Sequence, residues 1–392
     1  MRQSISLHQA KCGAVRRGHP WIFPKAINKL SGKFKTGELI DVFDNDNQLL
    51  GVGVFNEHSL YRVRVLAQGF EVTPDLSFAS LVSMRLKQAL SIRAALSLPN
   101  DKTNAFRLFN SEADGLSGLT IDFFNQTCVV ASSAYWVEAQ RAIITECIQN
   151  IMNCEDIIWL AQSKPLSQDG WKQAESAEPP ATSKEVLEAG VRYLVNFAHA
   201  QKTGLFLDQR ENHQRFATFA KGKRVLDLYS YTGGFALHAA MAGASKVTAV
   251  DSSSLAIEQA RQNASINGLS DSIEFIEADA RDYLQKASDY DLVILDPPKL
   301  VPSQQHLERA KNYYRFLHRE IFKAMRPGSL LMTCNCSSAL SPSDFCNLVS
   351  AQAAMVNKQA RILGIFGPAS CHPTLSAFPE GNYLTAVLLA VV

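Results

Sequence analysis

The 392-residue sequence contains no run of 18 uninterrupted apolar residues, and its N-terminus carries no hydrophobic signal core. Its eight cysteines are scattered, without the paired spacing of a disulfide framework or a zinc site. A helix that crosses a bilayer needs about 20 apolar residues, so no membrane span is predicted. The cysteine pattern and the polar N-terminus together predict a reduced, cytoplasmic protein.

Acidic residues are absent from the first 37 positions, although the whole chain has 39 basic and 37 acidic residues and a net charge of +2. A surface of one charge sign attracts polyanions such as RNA. An ordinary solvated basic face is the alternative that charge leaves open. The basic residues of this stretch are Arg2, Lys11, Arg16, Arg17, Lys25, Lys29, Lys33 and Lys35.

A chain of this length is expected to form two or three domains, each with its own core. Residues 1–72 are predicted as a small β domain, because 37–43 and 49–55 have the pattern of a hairpin around a polar turn. Residues 73–186 mix helical and strand patterns and are predicted as a central α/β domain. Residues 187–392 repeat a β-α-β pattern and are predicted as a Rossmann-like domain.

The stretch 225–251 is the clearest β-α-β unit, with an apolar strand, a turn containing Gly233 and Gly234, a helix, and a second strand ending in Asp251. Glycine lets the backbone approach a ligand, and Asp251 follows Asp227 by 24 residues, where an acid that binds a ribose belongs. The full G-x-G-x-x-G cradle for a pyrophosphate is missing, so a nucleoside without phosphates fits better. An unspecialised β-α-β enzyme domain is the alternative.

Two more acids follow predicted parallel strands. Asp279 comes just after the strand 273–277, where this type of fold places a polar group on an adenine amine. The strand 291–295 ends in Asp-Pro-Pro-Lys at 296–299. Two prolines fix the backbone, so the Asp296 carboxylate is expected to point rigidly at a base in the pocket. A plain turn at the end of a strand is the alternative.

Two motifs are the most specific features of the chain, K-T-G-x-F-L-D-Q-R at 202–210 and S-Y-T-G-G-F at 230–235. Front segments at 19–23, 51–55 and 62–64 look like the PUA module, an RNA-binding pseudobarrel. Over nearly its whole length the chain resembles the bacterial cytosine-5 methyltransferases of large-subunit ribosomal RNA. The resemblance implies an α/β class I methyltransferase domain preceded by a PUA domain and a central α/β domain. It also implies S-adenosyl-L-methionine as cofactor and ribosomal RNA as partner, and it leaves a homodimer open.

A catalytic cysteine is part of this resemblance. Methylation of carbon 5 of a pyrimidine needs a nucleophile that adds to carbon 6, and a thiolate is the usual one. Cys336 matches the family's T-x-x-C-S pattern, whereas on a regular strand Cys334 would share its face, so periodicity cannot choose between them. An ordinary cysteine is only about 3 per cent ionised at pH 7. Lys299, backbone amides or the base are therefore expected to promote ionisation of the thiol. Asp296 is expected to hydrogen-bond the ring.

The resemblance also implies the binding residues. Those predicted to hold the cofactor are Lys202, Thr203, Asp208, Gln209, Arg210, Asp227, Tyr229, Ser230, Thr232, Gly233, Gly234, Asp251, Asp279 and Asp296. Those predicted to contact RNA phosphates are Arg16, Arg17, Arg62 and Arg64, the last two expected on one face of a strand. The remaining cysteines, predicted to pack in cores, are Cys12, Cys128, Cys147, Cys154, Cys346 and Cys371.

Three departures from the family pattern concern the substrate. Asn196 and Ala200 stand where relatives tend to have an aspartate and a glycine, and residues 159–163 lack the usual charged residues. These changes leave the cofactor motifs intact. Two alternatives therefore stay open: a methyltransferase acting on another RNA position or a small molecule, and a non-catalytic RNA-binding protein with a relict cofactor fold.

Overall fold

The computed structural model describes residues 2–172, 182–198, 203–300 and 306–392. The chain forms two compact units. The first comprises Met1–Lys184, Asn196–Gly204 and Cys371–Gly381; the second comprises Glu185–Val195, Leu205–Ser370 and Asn382–Val392. The predicted boundaries near residues 72 and 186 stay predictions.

The front of the first unit is a six-stranded sheet with one helix, α1 (Gln9–Arg16). The predicted hairpin is confirmed, since its fourth and fifth strands pair antiparallel. Helix α1 was not predicted; it buries Cys12 and Val15 against the sheet core. The strands are β1 (Gln3–Leu7), β2 (Trp21–Ile22), β3 (Ile27–Ser31), β4 (Leu39–Phe43), β5 (Leu49–Phe55) and β6 (Val63–Gln68), in the order β2-β6-β5-β4-β1-β3.

The rest of the first unit is a four-stranded sheet with four helices. Its strands are β7 (Ala105–Asn110), β8 (Leu119–Phe124), β9 (Thr127–Ser132) and β10 (Asp156–Ala161), in the order β10-β9-β8-β7. Its helices are α2 (Phe78–Ala95), α3 (Tyr135–Ala139), α4 (Arg141–Ile151) and α5 (Ser163–Gln168). Gln140 separates α3 from α4.

The second unit is a seven-stranded sheet with helices, as a class I methyltransferase domain requires. Strands β11 (Ser183–Glu188) and β12 (Val191–Asn196) pair in a separate hairpin. The large sheet contains β13 (Arg224–Leu228), β14 (Lys246–Asp251), β15 (Ile273–Glu277), β16 (Leu292–Leu295), β17 (Leu330–Asn335), β18 (Ala360–Phe366) and β19 (Thr385–Val391), in the order β15-β14-β13-β16-β17-β19-β18. Its helices are α6 (Arg210–Ala217), α7 (Gly234–Met241), α8 (Ser254–Ile266), α9 (Leu307–Ala324) and α10 (Pro342–Ala354).

Five neighbouring strands of this sheet, β15, β14, β13, β16 and β17, run parallel, whereas β19 is antiparallel to β17 and β18. Parallel strands end at the same edge of a sheet, where α/β proteins bind ligands. The acids predicted from sequence follow these strands, so the topology brings them to one edge. In the described parts of the chain, no helix has the length and apolar character needed to cross a membrane.

Candidate active site

The loop after β13 is the first component of the site. Tyr229 and Tyr231 have φ angles of 65° and 50°, and Gly233, before α7, has a φ of 87°. Non-glycine residues in this left-handed region are strained, and surrounding contacts must hold them there. Here the Tyr231 amide donates to Asp251 Oδ2 at 2.9 Å and the Ser230 amide donates to the Val250 carbonyl at 3.0 Å. The loop is therefore held in one conformation by β14.

Asp251 lies half-buried at the end of β14, as predicted. Its Oδ2 accepts from Tyr231 and its Oδ1 accepts from the Ser253 amide at 2.9 Å. A carboxylate has about four acceptor positions. Each oxygen thus keeps a lone pair for a ribose hydroxyl while the backbone fixes the direction of the group.

Packing inside the second unit gives a further reason for glycine at position 234, besides the predicted approach of a ligand. A β-carbon added there would lie 2.5 Å from Cε1 and Nε2 of the buried His213 ring. His213 Nδ1 is in turn 2.7 Å from Glu188 Oε1, so the ring cannot move away freely. Packing between α7 and α6 therefore requires glycine at position 234, and the predicted approach of a ligand there stays a prediction.

Gly234→Ala is expected to lower the free energy of unfolding by about 1–3 kcal/mol, the usual cost of overpacking a filled site. Gly13→Ala is the matched control, because its β-carbon would meet only Arg17 Nη1 at 3.4 Å. That helical position should tolerate alanine or gain about 0.5–1 kcal/mol. Urea denaturation of both variants measures the difference, and equal stabilities would contradict the packing role.

Asp227 is fully buried in β13, and its Oδ2 accepts from the Ala236 amide at 3.0 Å. Burial raises the pKa of Asp227 to about 8 against the effect of that hydrogen bond, and the nearby carboxylates of Asp296 and Asp251 raise it further. The group is mostly protonated at neutral pH. Because it is inaccessible, it acts by holding the start of α7 rather than by touching a ligand, which corrects its predicted role as a cofactor contact.

This carboxyl makes stability depend on pH. Its pKa rises on folding, so between about pH 4 and about pH 8 the folded state binds more protons, and the stability it contributes is lost as pH rises. Asp227→Asn does not titrate. The free energy of unfolding of wild type relative to this variant should fall by up to about 1.4 kcal/mol per pH unit between about pH 5 and about pH 8. Denaturation curves across that range test this, and a constant difference would refute it.

The other predicted cofactor groups near the sheet edge also have protein partners. Asp279 accepts from the Arg281 amide and side chain at 2.9 Å, and the hydrogen bond from that side chain lowers the pKa of Asp279. The Tyr229 hydroxyl lies 3.3 Å from that of Tyr313. Ser230 and Thr232 are buried in the loop, and the Thr232 carbonyl accepts from Asn263 Nδ2 at 3.2 Å.

The segment carrying the K-T-G-x-F-L-D-Q-R motif is divided between the units. Lys202 lies outside the described residues, and the Thr203 hydroxyl donates to Asp122 Oδ2 within the first unit. In the second unit, Asp208 Oδ2 accepts from the Tyr383 hydroxyl at 2.7 Å, and the buried Arg210 lies 3.2 Å from Glu211 Oε1. These contacts place Asp208 and Arg210 in the structural framework of the second unit.

Asp296 and Cys336 meet at the ends of β16 and β17. Asp296 follows β16, and its amide donates to the Leu228 carbonyl at 3.3 Å. Cys336 is the first residue beyond β17, and its Sγ lies 3.9 Å from Asp296 Oδ1. The opposite oxygen, Oδ2, accepts from Gln209 Nε2 at 2.9 Å. The side chain of Lys299, the third predicted catalytic residue, is exposed.

The two cysteines that periodicity could not separate differ in exposure. Cys334 is fully buried in β17, whereas Cys336 is half-buried. Burial raises the pKa of Cys334 well above its ordinary value, and the neighbouring Asp296 and Cys336 raise it further. A thiol that is buried and hard to ionise is a poor nucleophile. Access therefore favours Cys336.

A buried wall behind these groups was not predicted as part of the site. The Tyr314 hydroxyl donates to Asn335 Oδ1 at 3.3 Å, and burial, then Cys336 and Asp296, raise the pKa of Tyr314. One turn further along α9, His318 contacts Thr333 Oγ1 at 2.9 Å, and burial lowers the pKa of His318 to about 4. The aromatic pattern of α9 was the available signal in the sequence, but helical spacing does not show which strand a residue faces.

The four predicted RNA-contacting arginines are in different environments. Arg64 is only 6 % exposed and lies 3.1 Å from Asp169 Oδ2, so it is withdrawn from the predicted set. Arg16 pairs with Asp44, and Arg62 donates to the Glu57 carbonyl. Arg17 is exposed next to α1. The expectation that Arg62 and Arg64 share one accessible face is therefore wrong, because Arg64 points into the core of the first unit.

Among the described residues, Glu188 of β11, His213 of α6 and His238 of α7 form a buried cluster. Glu188 Oε1 lies 2.7 Å from His213 Nδ1 and 3.1 Å from His238 Nε2. Three such atoms are close enough to ligate a metal ion. A closed structural zinc site has four protein ligands, however, and the hydrogen bond between His213 and Glu188, with His238 Nε2 packed close to the same oxygen, accounts for both distances. We interpret the cluster as a hydrogen-bonded support for α6 and α7.

The parallel sheet, the strained glycine loop and the acid at the end of β14 define a class I S-adenosylmethionine-dependent methyltransferase. In agreement, residues 149–362 match the family model of S-adenosylmethionine-dependent methyltransferases, and residues 5–68 match that of PUA-like domains. The chain belongs to the ribosomal RNA large subunit methyltransferase I family. It is 35% identical to the Aeromonas salmonicida member over 98% of both chains, and 34% identical to that of Alteromonas mediterranea over 100% of this chain and 99% of the relative.

Solved structures support the same fold. A Streptococcus mutans protein described as a SAM-dependent methyltransferase superposes with a TM-score of 0.80 at 20% identity, over 99% of each chain. A methyltransferase solved in complex with SAH superposes with a TM-score of 0.82 at 19% identity, again over 99% of each chain. At these identities the likeness concerns the fold alone. The predicted α/β architecture, PUA-like domain and S-adenosylmethionine dependence are confirmed.

Proposed function

We propose that this protein transfers a methyl group from S-adenosyl-L-methionine to carbon 5 of a cytosine in large-subunit, 23S-type ribosomal RNA, through a cysteine adduct at carbon 6. The observation that carries the proposal is the half-buried Cys336 thiol 3.9 Å from Asp296 Oδ1, at the ends of two adjacent parallel strands. The names of the relatives and the basic, PUA-like front support ribosomal RNA as substrate.

The residues at the sheet edge fit this cofactor. Asp251 has acceptor positions left for two ribose hydroxyls, and the glycine loop presents backbone without the cradle that a pyrophosphate needs. Ser230, Thr232 and Gly233 would line its adenosine side together with Asp251. When bound, S-adenosylmethionine supplies an electrophilic methyl group on a sulfonium ion.

The chain's own residues make carbon 5 reactive. The Cys336 thiolate adds to carbon 6, and the electron pair of the carbon 5–carbon 6 double bond shifts toward carbon 4 and ring nitrogen 3. The Asp296 carboxyl group, whose Oδ1 lies 3.9 Å from Cys336 Sγ, gives a proton to nitrogen 3 so that no negative charge builds up on the ring, and takes that proton back when carbon 5 is methylated. Once carbon 5 carries the methyl group, a base removes the proton there. That electron pair restores the double bond as the Cys336 thiolate leaves.

Incubating the protein with labelled S-adenosylmethionine and ribosomal RNA, followed by digestion to nucleosides, tests the proposal. Label is expected in 5-methylcytosine. Label in another nucleoside would assign a different RNA position, and label only in a small molecule would exclude RNA as substrate. RNA binding without cofactor binding would show a non-catalytic RNA-binding protein.

Arg17 provides the test of the RNA surface. If it contacts a phosphate, Arg17→Ala should reduce the slope of log affinity against log salt by about 0.7–0.9, because one fewer counterion is released. Arg361, exposed on β18, supplies the control, since its replacement by alanine should leave the slope unchanged. Equal slopes for wild type and Arg17→Ala would show that Arg17 contacts no phosphate and would favour the alternative of a solvated basic face.

A further inference from the structure

Gln209 was expected to bind the cofactor, but its side chain contacts the acceptor-side carboxylate. Gln209 is 3 % exposed, and its Nε2 donates to Asp296 Oδ2 at 2.9 Å. Asp296 Oδ2 thereby accepts from Gln209, and Oδ1 is the oxygen on the Cys336 side, 3.9 Å from Sγ. The orientation of the Asp296 carboxylate thus depends on which way the Gln209 amide points.

Asn212, one turn along the chain, determines that orientation. Its Nδ2 donates to Gln209 Oε1 at 2.7 Å and to the Gly367 carbonyl at 3.2 Å, while its Oδ1 accepts from Arg215 Nη1 at 3.2 Å. A carbonyl only accepts and a guanidinium only donates, so the Asn212 amide has one consistent orientation. Gln209 must then present oxygen to Asn212 and nitrogen to Asp296.

We propose that Asn212 and Gln209 are positioning residues that act in series, Asn212 orienting the Gln209 amide and Gln209 orienting the Asp296 carboxylate toward Cys336 and the acceptor base. This inference rests on the proposed function. All four side chains lie in the second unit, and Asn212 is fully buried, so solvent does not compete for its hydrogen bonds. Gln209 acts on the site through its hydrogen bond to Asp296, and Asn212 acts through its hydrogen bond to Gln209.

Two variants separate this role from cofactor binding. Gln209→Met keeps the length of the side chain and removes both hydrogen bonds, so kcat should fall roughly 10- to 100-fold, as expected for loss of a bond to a charged group. Asn212→Asp cannot donate to Gln209 and should turn its amide so that oxygen meets Asp296, lowering kcat by about tenfold. Affinity for S-adenosylmethionine, measured by calorimetry, should stay within about threefold of wild type in both variants.

The matched control is Gln214→Met on α6, the helix that Gln209 precedes, because the hydrogen bond that the Gln214 amide donates to a described residue goes to the Arg210 carbonyl, at 3.2 Å. It should behave as wild type. The double variant Gln209→Met/Asn212→Asp should be no more than about threefold slower than Gln209→Met, since residues that act in series are not additive. Because Gln209 and Asn212 are in direct contact, they are expected to couple in stability as well, so thermal melting of each variant is needed to separate a loss of folding from a loss of kcat.

Three results would overturn the inference: cofactor affinity falling in parallel with kcat, additive effects in the double variant, or Gln209→Met turning over like wild type. The chemistry is tested separately by the nucleoside that carries the label. If wild type methylates a base other than cytosine and the variants still show the serial pattern, the positioning role stands and the cytosine assignment falls. If wild type forms 5-methylcytosine and Gln209→Met turns over as fast as wild type, the cytosine assignment stands and the positioning role falls.

Discussion

Cys336→Ala is expected to abolish methyl transfer while leaving cofactor affinity nearly intact. The thiol lies beside Asp296, at the end of β17, whereas Asp251, the proposed ribose-binding acid, lies at the end of β14, with β13 and β16 between those two strands in the sheet. Without the nucleophile no covalent adduct at carbon 6 can form, so the methyl-transfer activity of the variant should drop to background. Single-turnover assays with labelled cofactor, together with calorimetry, measure the two properties separately.

Cys334→Ala is the matched control for this experiment. Cys334 is fully buried and its pKa is raised, so its replacement should leave methyl transfer possible and alter chiefly the packing around Asp296. RNA carrying 5-fluorocytosine at the target traps the adduct, because fluorine cannot leave as a cation. Wild type and Cys334→Ala should form the adduct and Cys336→Ala should not. The opposite pattern would reverse the two assignments, and adducts from no protein would exclude thiol catalysis.

Asp251→Ala is expected to weaken cofactor binding at least tenfold. Loss of charge-assisted hydrogen bonds to the ribose corresponds to about 1.5–3 kcal/mol. Asp251 also accepts from the Tyr231 and Ser253 amides, so its loss releases a loop whose tyrosines have positive φ angles. Both effects act in the same direction on affinity.

Asp279→Ala is the control at the next strand. The Asp279 carboxylate is already paired with Arg281 and is partly exposed, so its removal should cost only a few-fold in affinity. Isothermal calorimetry with S-adenosylmethionine measures both variants. Unchanged affinity in Asp251→Ala would refute the ribose assignment, and a larger loss in Asp279→Ala would move the principal cofactor acid from β14 to β15.

Local chemistry in the sequence was enough to predict the hairpin of β4 and β5, the β-α-β unit and the acids at strand ends. Hairpin turns, glycine pairs and apolar periodicity act between residues close in sequence, so their consequences are visible without tertiary structure. Asp251 and Asp296 lie where predicted because parallel strands in such a sheet end at one edge. The same stretch indicated a nucleoside ligand without phosphates, and the family resemblance implied S-adenosylmethionine.

Tertiary structure decided which of these groups can reach a ligand. Arg64 is held away from the predicted RNA surface by its hydrogen bond to Asp169, 105 residues away in the sequence. Gln209 donates a hydrogen bond to Asp296, 87 residues away. Cys334 and Cys336 become distinct only because β17 ends at Asn335, leaving the second thiol half-buried. Burial and hydrogen bonding between distant segments depend on how the elements pack, and a side-chain pattern within one segment does not contain that information.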